Sequence, residues 1–147
     1  MASRDDLSRY GELQRLQHAR WQLAQTELAE ANAALEISAR QRALSETELH
    51  EALRERETML AAARIDAVIF QSYAQLIAGL ADAVDARTEA HHRAAARVDE
   101  RAELCAQQAA REKLIDQQRT RHARRLRRRR DEAVLSRTED TAARRPT

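Results

Sequence analysis

Residues 15–35, RLQHARWQLAQTELAEANAAL, carry the pattern that decides the fold. Trp21, Leu28 and Leu35 are seven residues apart, and this interval continues along most of the chain. A seven-residue repeat of mostly apolar side chains is typical of one seam of a coiled-coil helix. No glycine or proline occurs between Glu12 and Ala78, so no strong helix breaker interrupts that stretch. The full line reads Trp21, Leu28, Leu35, Arg42, Leu49, Arg56, Ala63, Phe70, Ile77, Val84, His91, Val98 and Cys105.

The composition of the 147-residue chain points to the all-α class. Hydrophobic residues make up 43% of the chain but aromatic residues only 3%, and much of the apolar share is alanine, which buries little area. Strong helix formers dominate, whereas β-branched residues are sparse and nowhere alternate with period two. We therefore predict helices and no sheet.

Two further lines of residues define the width of the apolar stripe. A second leucine line on a neighbouring face holds Leu16, Leu23, Ile37 and Leu44. Offset lines with polar gaps predict a broad or drifting stripe rather than a strict leucine zipper. The companion seam, four residues after the Trp21 line, is predicted to hold Gln25, Asn32, Ala39, Glu46, Leu53, Leu60, Ala67, Ala74 and Ala81.

Two arrangements would bury such a stripe: one long helix paired with another chain, or a single fold-back into an antiparallel hairpin. Gly79 is the strongest turn residue near the middle, but it lies inside a helical apolar face. We place the turn at about residues 59–66, where Asp66 would cap the second helix by accepting a backbone N–H. The predicted fold is a long antiparallel two-helix coiled-coil hairpin over residues 1–137. Arm 1 covers about 3–58 with Ser3 as N-cap, arm 2 covers about 67–137, and residues 138–147 form a frayed tail.

No catalytic, cofactor-binding or metal-binding constellation is recognisable in the sequence. Two glycines cannot make a phosphate-binding loop, and a two-helix hairpin has no concave pocket for a catalytic group. His91 and His92 point about 100° apart on a helix, so they cannot share one metal; His91 lies on the apolar seam and His92 faces water. Cys105 lies on the same seam and is expected to be a buried small hydrophobic side chain rather than a reactive thiol. We expect a protein that is not an enzyme.

The sequence is also read as that of a soluble cytoplasmic protein. A single cysteine excludes an internal disulfide and fits a reducing compartment, and the N-terminal segment does not have the pattern of a signal peptide. Residues 65–84 are the richest apolar stretch, but Asp66, Gln71, Gln75 and Asp82 interrupt it. We therefore predict no direct membrane insertion.

Arginines crowd the second arm near its end, whereas acidic residues are dense between Glu27 and Glu57. Three interpretations stay open for this run: a solvated helix end, a nucleic-acid site or a contact with an acidic protein surface. Nucleic acid is disfavoured because no zipper follows the run and no aromatic residues interleave with it. The run comprises Arg119, Arg121, Arg124, Arg125, Arg127, Arg128, Arg129 and Arg130.

Residues 65–84 hold a second unusual feature. Leu76, Leu80 and Ala83 form a stripe beside a face that contains Ile69, Tyr73, Ile77 and Val84. Together the two cover more of the helix circumference than one partner helix buries. The excess indicates either tighter packing near the turn or an exposed apolar patch for another protein.

These residues also carry a resemblance to a known family. Residues 73–84 have the form Tyr-x-x-Leu-Ile-x-x-Leu-x-x-Ala-Val, and a stretch of four arginines followed by Asp131 and Glu132 closes the second arm. Together with the first-arm pattern of residues 15–35, this resembles the FliJ family and its YscO and SctO counterparts. Those proteins are central stalks of type III secretion ATPases, in flagella or in injectisomes.

The resemblance implies three partners: a hexameric secretion ATPase, an export-gate membrane protein and export chaperones. It places the protein in the cytoplasm, peripheral to the inner membrane at the secretion apparatus. An export chaperone or chaperone escort, and a coiled-coil scaffold homodimer, stay open as alternatives. The residues implied for the ATPase ring are Arg124, Arg125, Arg127, Arg128, Arg129 and Arg130, and those for the gate are Tyr73, Leu76, Leu80, Ala83 and Arg87.

Overall fold

The computed structural model describes residues 4–144, and over these residues the chain is helical apart from one short connection and the final residue. Helix α1 runs Arg4–Leu60 and helix α2 runs Ala67–Ala143. The two helices pack against each other, consistent with a helical hairpin, and no strand occurs within the described residues. The prediction of an all-α chain is confirmed for this part of the sequence.

The contacts divide the chain into two units. Unit 1 joins the residues up to Gln25 to those from Leu104 onward, and unit 2 is Thr26–Glu103. Each unit therefore contains one stretch of α1 and one stretch of α2.

The less exposed residues of α1 recur at alternating intervals of three and four residues. Trp21, Leu28, Leu35 and Leu49 belong to this set, so the predicted seven-residue line is confirmed on α1. On α1 the predicted companion seam is mostly wrong, because the second inward line lies three residues after the first, not four. Of the residues predicted for that seam, only Glu46, Leu53 and, on α2, Ala81 are partly buried. Between Gln17 and Met59 the second line holds only small residues, namely Ala24, Ala31, Ser38, Ser45 and Ala52.

On α2 the predicted line is again found on the less exposed side. Its members Phe70, Ile77, Val84, His91, Val98 and Cys105 are all partly buried, whereas Ala63 lies in the connection and is exposed. Small residues on α1 let the two backbones approach closely, but they bury little apolar area. Of the described residues only four, namely Gln17, Ala24, Ser45 and Ala52, are classed as buried.

Polar side chains join the helices within each unit. In unit 1 the Gln17 amide donates to the Gln108 side-chain oxygen over 2.7 Å, and His18 Nδ1 lies 2.6 Å from the Glu112 carboxylate. Across unit 1 the number of the contacted residue on α2 falls as the residue number rises on α1, in the pairs Tyr10–His122, Gln14–Asp116 and Gln17–Gln108. Unit 2 has the same reversed order, in the pairs Glu27–Arg101, Ser38–His91, Gln41–Arg87 and Glu55–Tyr73.

The connection between the helices occupies residues 61–66, which lie within the stretch predicted for the turn. Asp66 caps α2 as predicted: its Oδ1 accepts from the backbone N–H of Val68 at 2.9 Å and, more weakly, from that of Ile69 at 3.4 Å. Gly79 lies inside α2. The chain therefore reverses without a glycine, because a side-chain oxygen satisfies donors that the first turn of α2 leaves free.

Helix α2 continues beyond the predicted end of arm 2 at residue 137 and reaches Ala143. The expectation of a frayed tail from residue 138 is therefore wrong for residues 138–143. These residues contain no glycine or proline, and the Thr138 and Thr141 hydroxyls donate to carbonyls one turn earlier, at Leu135 and Arg137. Ser3, the predicted N-cap of arm 1, and tail residues 145–147 lie outside the described part of the chain.

Helix α2 contains a segment of 18 residues whose mean hydropathy of 1.3 meets a length and composition criterion for a membrane span, and none of that segment is buried. The prediction of no direct membrane insertion is not tested by this criterion and stays a prediction. Helices of soluble proteins meet the same criterion, so composition alone assigns no membrane location.

Candidate functional site

The six arginines of the predicted ring contact all lie on α2 in unit 1. Every one of them is exposed, and none forms a hydrogen bond or ion pair with a described residue. Leu126 is the last α2 residue that is partly buried, and all residues from 127 to 144 are exposed. We call residues 127–143 the basic overhang, because they run past the stretch of α2 that contacts α1.

The geometry of a helix determines how this overhang presents its charge. Successive residues are about 100° apart around the axis, so the four consecutive arginines at 127–130 surround the helix with positive charge. At 1.5 Å per residue the overhang extends for about 25 Å. A lone helix of this length is only marginally stable in water, so the overhang is suited to being ordered by a partner. Its chemistry selects a surface rich in carboxylates.

The predicted gate-contact residues lie in unit 2, but they do not form one exposed stripe. Leu76 is exposed, whereas Tyr73, Leu80 and Ala83 are partly buried toward α1. Arg87 is exposed and donates to the Gln41 side-chain oxygen at 2.9 Å. Only Leu76 among the apolar members is therefore free to make a substantial new contact.

Tyr73 is held by a specific hydrogen bond. Its hydroxyl donates to a Glu55 carboxylate oxygen at 2.5 Å. This bond, followed by the negative charge of Glu55, raises the pKa of the Tyr73 phenol above its ordinary value of 10.0. The bond directs Tyr73 toward α1, so the side chain serves the packing of unit 2.

A cluster of exposed apolar residues around the connection is absent from the set of gate residues taken from the resemblance. Leu60, Ile65, Val68 and Ile69 are all exposed, and Val68 reaches 73%. Beside them is a small, mostly apolar hollow of about 160 Å³, lined in part by Met59 and Ile69. The signal was present in the sequence as three β-branched residues, at 65, 68 and 69, but only the structure shows that α1 leaves them uncovered.

The remaining candidate residues are two histidines and one cysteine. His91 lies on the inward line 3.2 Å from the Ser38 hydroxyl, and His92 is exposed, as predicted. Cys105 is partly buried. Within the described residues no group of histidine, cysteine and acidic side chains could hold a metal ion.

Comparisons with protein-family models, with curated proteins and with solved structures gave no match for this chain.

Proposed function

We propose that this protein is the central stalk of a type III secretion ATPase, located in the cytoplasm at the inner membrane. In this role unit 1 enters the pore of the hexameric ring, and the connection between the helices faces the export gate. The observation that carries the proposal is the start of the basic overhang, where four consecutive unpaired arginines at 127–130 surround the helix just past its contact with α1. The sequence resemblance to the FliJ, YscO and SctO proteins supplies the identity of the partner.

The proposed function requires that the two helices form an antiparallel coiled coil. Three features support this arrangement: the alternating three- and four-residue spacing of inward positions on α1, the reversed order of contacts within each unit, and the cap at Asp66.

The gate contact is proposed for the exposed apolar residues near the connection. Leu76 stays in this set, and Leu60, Ile65, Val68 and Ile69 join it because they are exposed. Tyr73, Leu80 and Ala83 would support the surface from beneath, and Arg87 would lie at its edge. Apolar side chains grouped at one place are typical of a protein-binding surface.

The stalk performs no chemistry in this mechanism. The arginines would form ion pairs with carboxylates that line the pore. The strength of these ion pairs would differ between the conformations that each subunit of the ring adopts. A contact that differs between two states shifts the balance between them, which stimulates turnover without any catalytic group on the stalk. Export chaperones would bind elsewhere on the exposed helical surface.

The test is the ATP turnover of the cognate ATPase with and without this protein. A variant in which the four arginines at 127–130 become glutamate is expected to lose both stimulation and co-purification while keeping its helical circular dichroism. The control carries four glutamates at exposed arginines of unit 2 and is expected to stimulate normally; the positions are Arg40, Arg54, Arg64 and Arg97. Undiminished stimulation by the overhang variant refutes the role of the run, and an ATPase indifferent to the wild-type protein refutes the proposed function.

A further inference from the structure

Five exposed leucines in unit 1 occupy equivalent positions on the two helices. Leu13 and Leu104 each immediately precede an inward residue, and Leu16, Leu23 and Leu114 each follow an inward residue by two positions. Their exposed fractions lie between 42% for Leu104 and 60% for Leu23. These two kinds of position are adjacent on a helix, so the leucines of each helix share one side.

The leucines of both helices lie on the same side of unit 1. Contacted residue numbers fall on α2 as they rise on α1, from Tyr10–His122 through Gln14–Asp116 to Gln17–Gln108. In such a pair the positions before the inward line meet on one flank. The opposite flank has no exposed leucine; a groove there is lined by Arg15, His18 and Glu112, among others. We call the five-leucine side the leucine flank.

Beside and between the five leucines the charges on this flank are all positive; Asp6, the residue before Leu7, lies beyond Arg9. Between residues 9 and 23 of α1, and between 104 and 121 of α2, the flank positions hold four arginines and no carboxylate: Arg9, Arg20, Arg111 and Arg121. All four are exposed, and none forms an ion pair with a described residue. An apolar stripe bordered only by arginines fits an apolar stripe bordered by carboxylates.

The α1 stretch of unit 2 presents a stripe of that kind, beside which α2 contributes Arg87, bonded to Gln41, and Arg97, in a groove with Glu30. Ile37 and Leu44 are exposed and seven residues apart, the same interval as between Leu16 and Leu23. Glu30, Glu48 and Glu51 occupy the same two kinds of position, are exposed, and have no ion-pair partner among described residues. We call these five residues the acidic flank.

We infer that the leucine flank of one copy binds the acidic flank of a second copy, so that the free protein self-associates. Two leucine flanks facing each other would bring eight arginines together with no carboxylate between them, and two acidic flanks would place glutamates opposite glutamates. Only the unlike pairing joins apolar side chains and opposite charges at once. Every copy carries both flanks, so the contact closes reciprocally between two copies or propagates along a series of them.

The first measurement is the mass of the full-length chain by sedimentation equilibrium, up to hundreds of micromolar. The 16.8 kDa chain is expected to reach at least twice that mass, and high salt is expected to weaken the association. Changing Leu16 and Leu23 to glutamine is expected to raise the dissociation constant at least about tenfold, because their burial is lost. The matched control changes Val134 and Leu135 to glutamine. These residues are similarly exposed but lie in the basic overhang, so the dissociation constant is expected to stay unchanged.

A charge-exchange experiment distinguishes this specific pairing from nonspecific association. One variant carries Arg20→Glu and Arg111→Glu, and the other carries Glu48→Arg and Glu51→Arg. Each variant alone loses the charge attraction between its own two flanks and is expected to stay monomeric. In their mixture the unchanged acidic flank of the first variant meets the unchanged leucine flank of the second, so the mixture is expected to associate. A wild-type chain that stays at 16.8 kDa at every concentration overturns the inference, and so does a mixture that associates no better than its components.

Discussion

Replacing Asp66 with alanine tests how the chain reverses direction. The carboxylate accepts one well-formed hydrogen bond, from Val68 at 2.9 Å, and one contact to Ile69 at 3.4 Å that is longer than an ordinary bond. Loss of one such cap costs about 1 kcal/mol, and loss of a negative charge beside a helix N-terminus adds about 0.5 kcal/mol. We expect a total destabilisation of about 1.5 kcal/mol, equivalent to about 5 °C in melting temperature for a chain of this length.

Urea unfolding followed by circular dichroism measures the total, and amide hydrogen exchange measures it locally. The Val68 and Ile69 amides are expected to exchange faster in Asp66→Ala, because their acceptor is gone. Asp66→Asn keeps an acceptor oxygen while removing the charge, so it should cost only a few tenths of a kcal/mol. If Asp66→Ala unfolds at the wild-type urea concentration and Val68 keeps its protection, the connection is held by something other than this cap.

Three further changes probe the contacts between the helices. Gln17 is only 5% exposed, so Gln17→Ala is expected to lower the free energy of unfolding by about 2 kcal/mol. A double-mutant cycle with Gln108→Ala is expected to give a coupling energy of about 1 kcal/mol. A coupling of zero would mean that this hydrogen-bonded pair is not formed. Ala52, 6% exposed, leaves no space for a larger side chain, so Ala52→Leu should destabilise by about 1–3 kcal/mol in urea, and a stabilised variant would contradict the close approach. The raised pKa of Tyr73 means that its bond stabilises the fold below pH 10.0, and this stabilisation is lost as pH rises through the raised pKa. In Glu55→Ala the pKa of Tyr73 is expected to return toward 10.0, as measured by absorbance titration. An unchanged titration curve would exclude Glu55 as the cause.

The seven-residue line could be predicted from the sequence because large apolar side chains at Trp21, Leu28 and Leu35 stand out from polar neighbours. The second inward line could not, because alanine and serine look alike in sequence whether they face a partner or the solvent. The Asp66 cap was predictable, since an acidic residue just before an apolar run has a local reason to be there. The end of α2 was misjudged because tail residues without apolar periodicity can still be good helix formers.

The candidate contact residues divide in the same way. Exposure of the arginine run followed from charge alone, since burying six guanidinium groups without partners is prohibitively costly. Which side of α2 the residues near Leu76 present depends on the register between the helices, and pattern alone leaves that register open. The overhang itself follows from an inequality in length: α1 has 57 residues and α2 has 77.

The small side chains along the second line of α1 also bear on how long the protein survives in a cell. No large side chain among the described residues is fully shielded from water, so little free energy separates the closed molecule from opened forms that proteases cut. Any assembly that captures the closed form withdraws it from degradation. Copies made in excess of the available binding sites would be degraded first. The amount of protein in the cell would therefore match the number of those binding sites.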